Sequence, residues 1–88
     1  MAQAPARVIW SQEAFHRFQS LPFAAREGIL KRVDLVRVFP RMYQVEPEGR
    51  WAGLRRFVIE SLIVFYAYWE SERTIYLEVI VPARSGRE

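Results

Sequence analysis

Arginine is the residue type in this chain best equipped to do chemistry. Twelve arginines stand against a single lysine, Lys31, in 88 residues of formal net charge +3. A guanidinium stays charged and binds phosphate oxygens in pairs. Arg50, Arg55 and Arg56 lead into one strand-like segment, and Arg84 and Arg87 follow the last one. In a short antiparallel meander the start of one strand and the end of another come close. Arg55 or Arg56 can therefore share a concave face with Arg84, as an anion or RNA site. Adjacent strand residues point to opposite faces, so at most one of Arg55 and Arg56 belongs to it. The plainer alternative is that these arginines are solvated strand ends pairing with Glu60, Glu70 or Glu78.

Aromatic side chains are the second resource. Trp10, Trp51, Tyr66, Tyr68, Trp69 and Tyr76 can stack on bases, or simply fill a core and pair across strands. Tyr76, on the polar face of its strand beside Glu78, is the one expected to be exposed. Arg50, Tyr76 and Arg87 are accordingly the RNA-binding candidates beside Arg55, Arg56 and Arg84. Other chemistries find little support. The lone histidine, His16, lies on the polar side of a helix next to Arg17, and there is no cysteine, so neither a metal cluster nor a Ser-His-Asp arrangement is expected. The four glycines are scattered and form no phosphate loop, and no cofactor is expected.

These side chains need elements to position them. Arg7 to Trp10 (RVIW) reads as a short strand. Ser11 is a helix cap, Gln12 and Glu13 suit a first turn, and Ala14, Phe18 and Leu21 share one stripe, giving a helix over Gln12 to Ser20. Ser20 can cap a second helix with Pro22 in its first turn. Ile29, Leu30, Val33 and Val36 carry that helix to Pro40, which ends it and extends Phe39. Gly28 weakens it by about 1 kcal/mol relative to alanine. With so little loop between them, the two helices form a hairpin. Pro40 to Gly49 (PRMYQVEPEG) is a loop long enough to mark a functional segment.

The rest is strand. Arg55 to Ile59, Leu62 to Trp69 and Thr74 to Val81 are rich in β-branched and aromatic residues and are separated by two short turns. In the last of them Ile75, Leu77, Val79 and Val81 alternate with Thr74, Tyr76, Glu78 and Ile80, which predicts one buried face. The middle strand is apolar on both faces, as befits a central strand that is covered twice or offers one side to a partner. The expected architecture is a single α+β domain over residues 1–88, β-α-α-β-β-β, with the N-terminal strand and two-helix hairpin packed on a curled, mainly antiparallel sheet. The start MAQAPARVIW has no long apolar core, and the longest apolar run is far short of the roughly 20 residues that span a bilayer. A soluble cytoplasmic protein with no membrane partner is expected.

The element order resembles the RelE/ParE toxin superfamily. So do Leu54-Arg55-Arg56-Phe57, Leu62-Ile63-Val64-Phe65-Tyr66 and the ending Val79-Ile80-Val81-Pro82-Ala83-Arg84. The likeness spans nearly the whole chain. It implies a toxin of a type II toxin–antitoxin system, bound and neutralised by a cognate antitoxin protein. RelE-like members cut mRNA in the ribosomal A site, and ParE-like members poison DNA gyrase. Arg84 falls where the superfamily places an arginine after its last strand, and Arg55 and Arg56 fall in a strand that supplies basic residues. Ile63 departs from the pattern, since RelE-like enzymes often carry an arginine there, and the tail lacks the histidine or tyrosine of several relatives.

Three functions compete. A ribosome-dependent mRNA endonuclease would use Arg55, Arg56 and Arg84 to hold RNA and stabilise charge. Arginine is a poor base, so proton transfer would fall to Glu48, Glu60, Glu78, Tyr66 or Tyr76. A gyrase poison would need no nuclease site, and a non-toxic binding module would need neither. The endonuclease ranks slightly first.

Overall fold

Ser11 decides where the first strand becomes a helix. Its N–H donates to the Leu77 carbonyl at 2.9 Å. Its hydroxyl accepts from the Ala14 N–H at 2.9 Å and donates to the Glu78 carbonyl at 2.7 Å. One side chain thus caps the helix and fastens it to the last strand. Ser11→Ala is expected to cost about 1–2 kcal/mol, read as a lower urea midpoint at unchanged slope.

A computed structural model describes residues 4–83. In chain order these form β1 (Arg7–Trp10), α1 (Gln12–Gln19), α2 (Phe23–Val38), β2 (Arg55–Ile59), β3 (Leu62–Trp69), a short 3-10 turn (Glu70–Glu72) and β4 (Thr74–Pro82). The sheet order is β1-β4-β3-β2. β3 runs antiparallel to both neighbours and β1 parallel to β4, so the sheet is mixed but mainly antiparallel. The α+β architecture expected from the sequence is the one observed. No helix among the described residues is long and apolar enough to cross a membrane.

The even alternation expected of the last strand fails after Leu77. Leu77 faces Tyr66 and Val79 faces Phe65, so Glu78 is an extra residue with no partner. This bulge reverses the side chains beyond it. Ile75, Leu77 and Ile80 therefore join the core, whereas Val79 and Val81 share the opposite face with Tyr76.

The helices cover one face of the sheet. Ala14 of α1 is fully buried, and Phe18 places its ring 4.7 Å from that of Trp10. α2 buries Ala25, Ile29, Val33 and Val36 at helical spacing, against a sheet face that includes Phe57, Val64 and Tyr66. Ser20 does not cap α2. It closes α1 instead, its hydroxyl and N–H both donating to the Arg17 carbonyl, and Pro22 takes the N-cap position with no side-chain bond. Gly28 is explained by proximity: a Cβ there would lie 2.9 Å from Cγ2 of Ile59, so glycine lets α2 approach β2. Phe39 leaves the helix at φ −125°, as the residue before Pro40 must.

The irregular segment after α2 is more ordered than its composition implies. Val45 bridges antiparallel to Arg55. The Glu46 N–H donates to the Leu54 carbonyl at 2.7 Å, and the Gly53 N–H donates to the Glu46 carbonyl at 2.9 Å. Gly49 and Gly53 both take φ 90°, which lets the chain reverse tightly between them.

Candidate functional site

Alternation along β2 assigns its two leading arginines to opposite sides. Arg55 pairs with Tyr66 and faces the helices, while Arg56 pairs with Phe65 on the face that the helices leave open. The Arg55 guanidinium donates to the Tyr43 carbonyl, and the Tyr43 hydroxyl accepts from Arg32 of α2 at 2.6 Å. Arg55 is thus a brace between the sheet and the loop, and its geometry removes it from the expected site. Arg56 is half-exposed, with its Nε 3.2 Å from Oε2 of Glu46.

Beside Arg56 lies an aromatic stack. The Trp51 ring sits nearly parallel on Phe65, at 4.7 Å between centroids and 22° between planes. The Arg50 guanidinium lies 4.8 Å from the Trp51 centroid. Phe65, which would otherwise face solvent, is left 2% exposed. The open face therefore brings together Arg50, Trp51, Phe65 and the Arg56–Glu46 ion pair. Such a surface offers guanidinium charge for a phosphate and a π-face for a planar group.

The remaining candidates fall elsewhere. Arg84 and Arg87 lie outside the described residues. At the last described residue, the Ala83 N–H donates to the Ser61 carbonyl in the turn joining β2 to β3. Tyr76 lies on the open face, but it pairs with Ala67, further along the sheet from Arg56. Its hydroxyl donates to Oε1 of Glu72 at 2.7 Å, and this bond to a carboxylate, with some burial, pushes its pKa up. Glu72 and Glu78 line the same shallow pocket as Tyr76, and the Arg7 guanidinium is also near enough to act on its phenol. Of the described strand arginines, Arg56 pairs with Glu46 rather than with Glu60, Glu70 or Glu78, and Glu70 bonds Arg41. Glu60 occupies the β2–β3 turn at φ 55°.

Tyr66 is not a proton-transfer group. It is fully buried, its hydroxyl donates to the Pro40 carbonyl at 2.9 Å, and burial pushes its pKa up to about 12. The folded chain therefore holds this proton more tightly than the unfolded one, whose tyrosine titrates near 10. The associated stability is complete below pH 10 and is lost as pH rises towards 12, by roughly 2–3 kcal/mol. Urea midpoints measured at pH 9 and pH 11.5 are expected to fall for the wild type and to fall less for Tyr66→Phe.

Glu46 escaped the sequence reading. Pro47 masks a hairpin-like turn in which Val45 and Glu46 run alongside Leu54 and Arg55. The two glycines were the available signal. Among the described residues no group of three or more His, Cys, Asp or Glu side chains is placed to hold a metal.

No protein-family model matches the sequence, and no curated protein matches it significantly. Solved structures do match. The isolated E. coli RelE toxin superposes with a TM-score of 0.79 at 13% identity, over 93% of this chain and 88% of that one. A chain of the archaeal RelE–RelB complex from Pyrococcus horikoshii OT3 gives 0.76 at 22% identity, over 97% of this chain and all of that one. A chain of the toxin–antitoxin complex RelBE2 from Mycobacterium tuberculosis gives 0.74 at 16% identity, over 93% and 97%. From its first strand to its last, this chain has the fold of the RelE toxins.

Proposed function

We propose that this chain is the toxin of a type II toxin–antitoxin pair, working in the cytoplasm as a ribosome-dependent mRNA endonuclease until a cognate antitoxin binds it. The observation that carries this reading is the near-complete superposition on RelE, alone and in chains of RelE–RelB complexes. The open sheet face supports it, because Arg56 and Arg50 offer charge beside an aromatic stack. Attack by a 2′-hydroxyl on the adjacent phosphorus forms a P–O2′ bond and breaks the P–O5′ bond, the hydroxyl proton passing to a base and the departing 5′-oxygen taking one up. Negative charge builds on the phosphoryl oxygens, where a fixed guanidinium stabilises it. Arg56 takes this role, with Arg84 as a second cation, and Glu46 orients Arg56. Since Tyr66 is interior and Tyr76 is tied to Glu72, Glu46 becomes the carboxylate in contact with the proposed phosphate site. Purified chain added to ribosomes programmed with a defined mRNA is expected to cut at the codon in the A site. Intact message after prolonged incubation contradicts the reading.

The antitoxin follows from surface chemistry as well as from analogy. Phe15, Phe23 and Leu30 on the helices, and Val58 and Trp69 on the sheet, are exposed apolar side chains of the kind a partner covers. Poor solubility of the chain alone, relieved by co-expressing the product of an adjacent reading frame, is the expected behaviour.

One observation favours a gyrase poison as the second reading. Val58, Ile63 and Val81 form an apolar row across the sheet, and the superfamily resemblance implies an arginine at Ile63 in RelE-like enzymes. A supercoiling assay with purified gyrase separates the two, because only the second reading expects inhibition and trapped cleaved DNA. Normal growth on induction without antitoxin would leave the chain a non-toxic binding module.

A further inference from the structure

We propose that Trp51 is a stacking subsite for a single RNA base and that Arg50 lies over it as a displaceable cover. This rests on the reading of the open face as an RNA surface and adds to it a base-binding position.

The two faces of the indole differ. Phe65 holds the inner face at 4.7 Å and 22°. The Arg50 guanidinium lies over the ring at 4.8 Å from the centroid, and the stacked Phe65 leaves it the other face. A planar cation on an indole is the arrangement that a nucleobase, itself planar and polarisable, can take over. Arg50 sits on an exposed turn, so it can lift away and close again on the far side of the base, or move to the adjoining phosphate.

The mount of the ring is fixed before any ligand arrives. The Leu54 N–H donates to the Trp51 carbonyl at 3.0 Å and the Ala52 N–H to the Gly49 carbonyl at 3.1 Å. The bonds between Glu46 and residues 53 and 54 clamp the base of the turn. A ring held this way loses little conformational freedom on binding. Arg56 is the cross-strand partner of Phe65, on which Trp51 rests, so a phosphate site adjoins the stacking site. That pairing of a π-face with a guanidinium is what a nucleotide requires. A cap serving only to shield Phe65 would need neither neighbouring arginine.

The test uses the full chain and a short single-stranded RNA labelled for fluorescence anisotropy. A second oligonucleotide of the same length and phosphate count carries abasic sites throughout. Wild type is expected to bind the base-bearing RNA about ten- to a hundredfold more tightly than the abasic one at low salt. Trp51→Phe is expected to keep most of that preference, whereas Trp51→Ala binds both oligonucleotides alike. Equal binding of the two by the wild type overturns the stacking subsite while leaving the phosphate site standing. An undiminished preference in Trp51→Ala overturns its location. Binding of neither oligonucleotide overturns the subsite together with the reading of this face as an RNA surface. The wild-type comparison does not depend on how well the variants fold.

Discussion

Arg56→Gln is expected to abolish growth inhibition on induction while leaving the fold intact. Loss of one positioned donor to a developing oxyanion typically lowers a rate by about 10²–10³-fold. Arg56 is half-exposed and pairs at the surface with Glu46, a pair whose loss costs about 0–1 kcal/mol. Its chain neighbour is expected to behave in the opposite way. Arg55→Gln leaves the Tyr43 carbonyl without its charged donor and costs about 1.5–3 kcal/mol, so any fall in toxicity tracks lower protein abundance. Growth curves, together with soluble yield and urea midpoints for both variants, separate these outcomes. Full toxicity in Arg56→Gln would move the working surface off the open face.

Phe57→Ala carries the largest expected effect on stability. Phe57 is 1% exposed, and its ring centroid lies 6.0 Å from that of Tyr43 and 6.2 Å from that of Tyr66. Truncating a buried phenylalanine costs about 3–5 kcal/mol. A chain of this length has roughly 4–13 kcal/mol in total. Loss of the cooperative thermal transition, or a steep fall in its midpoint, is therefore expected by circular dichroism. Val58→Ala, one residue on and facing outwards, is expected to stay within about 0.5 kcal/mol of wild type. Similar losses in both variants would mean that β2 is registered one residue off, because a one-residue slip exchanges its faces.

Much of the architecture was legible because several local signals agreed. The serine at 11 followed by Gln12 and Glu13, the spacing of Ile29, Val33 and Val36, and the β-branched runs each name an element. What failed needed information from across the fold. The bulge at Glu78 depends on the pairing of β4 with β3, and its carbonyl is taken up by Ser11 from 67 residues away. Ser20 satisfies a cap rule for α2, yet its hydroxyl finds the nearer carbonyl of Arg17 at the end of α1. Gly28 looks like a defect in a helix until Ile59 is seen against it.

The candidate site was legible in part. Strand alternation allowed only one of Arg55 and Arg56 to face outwards, and the observed register selects Arg56. Glu46 was invisible because its pairing depends on a turn that Pro47 disguises. Tyr76 was legible as the more exposed phenol, but the bonding partner of neither Tyr66 nor Tyr76 was. Burial against the Pro40 carbonyl sets one apart, and a bond to Glu72 sets the other.

The helix-free face of the sheet, through Arg56, is proposed to act on messenger RNA. Mapping the 5′ ends of cellular mRNA shortly after induction, for wild type and Arg56→Gln side by side, tests it most directly. New ends inside coding regions with the wild type, and their absence with the variant, are the predicted result. No new ends with a wild-type protein that is soluble and abundant, or the same ends with both proteins, would contradict it.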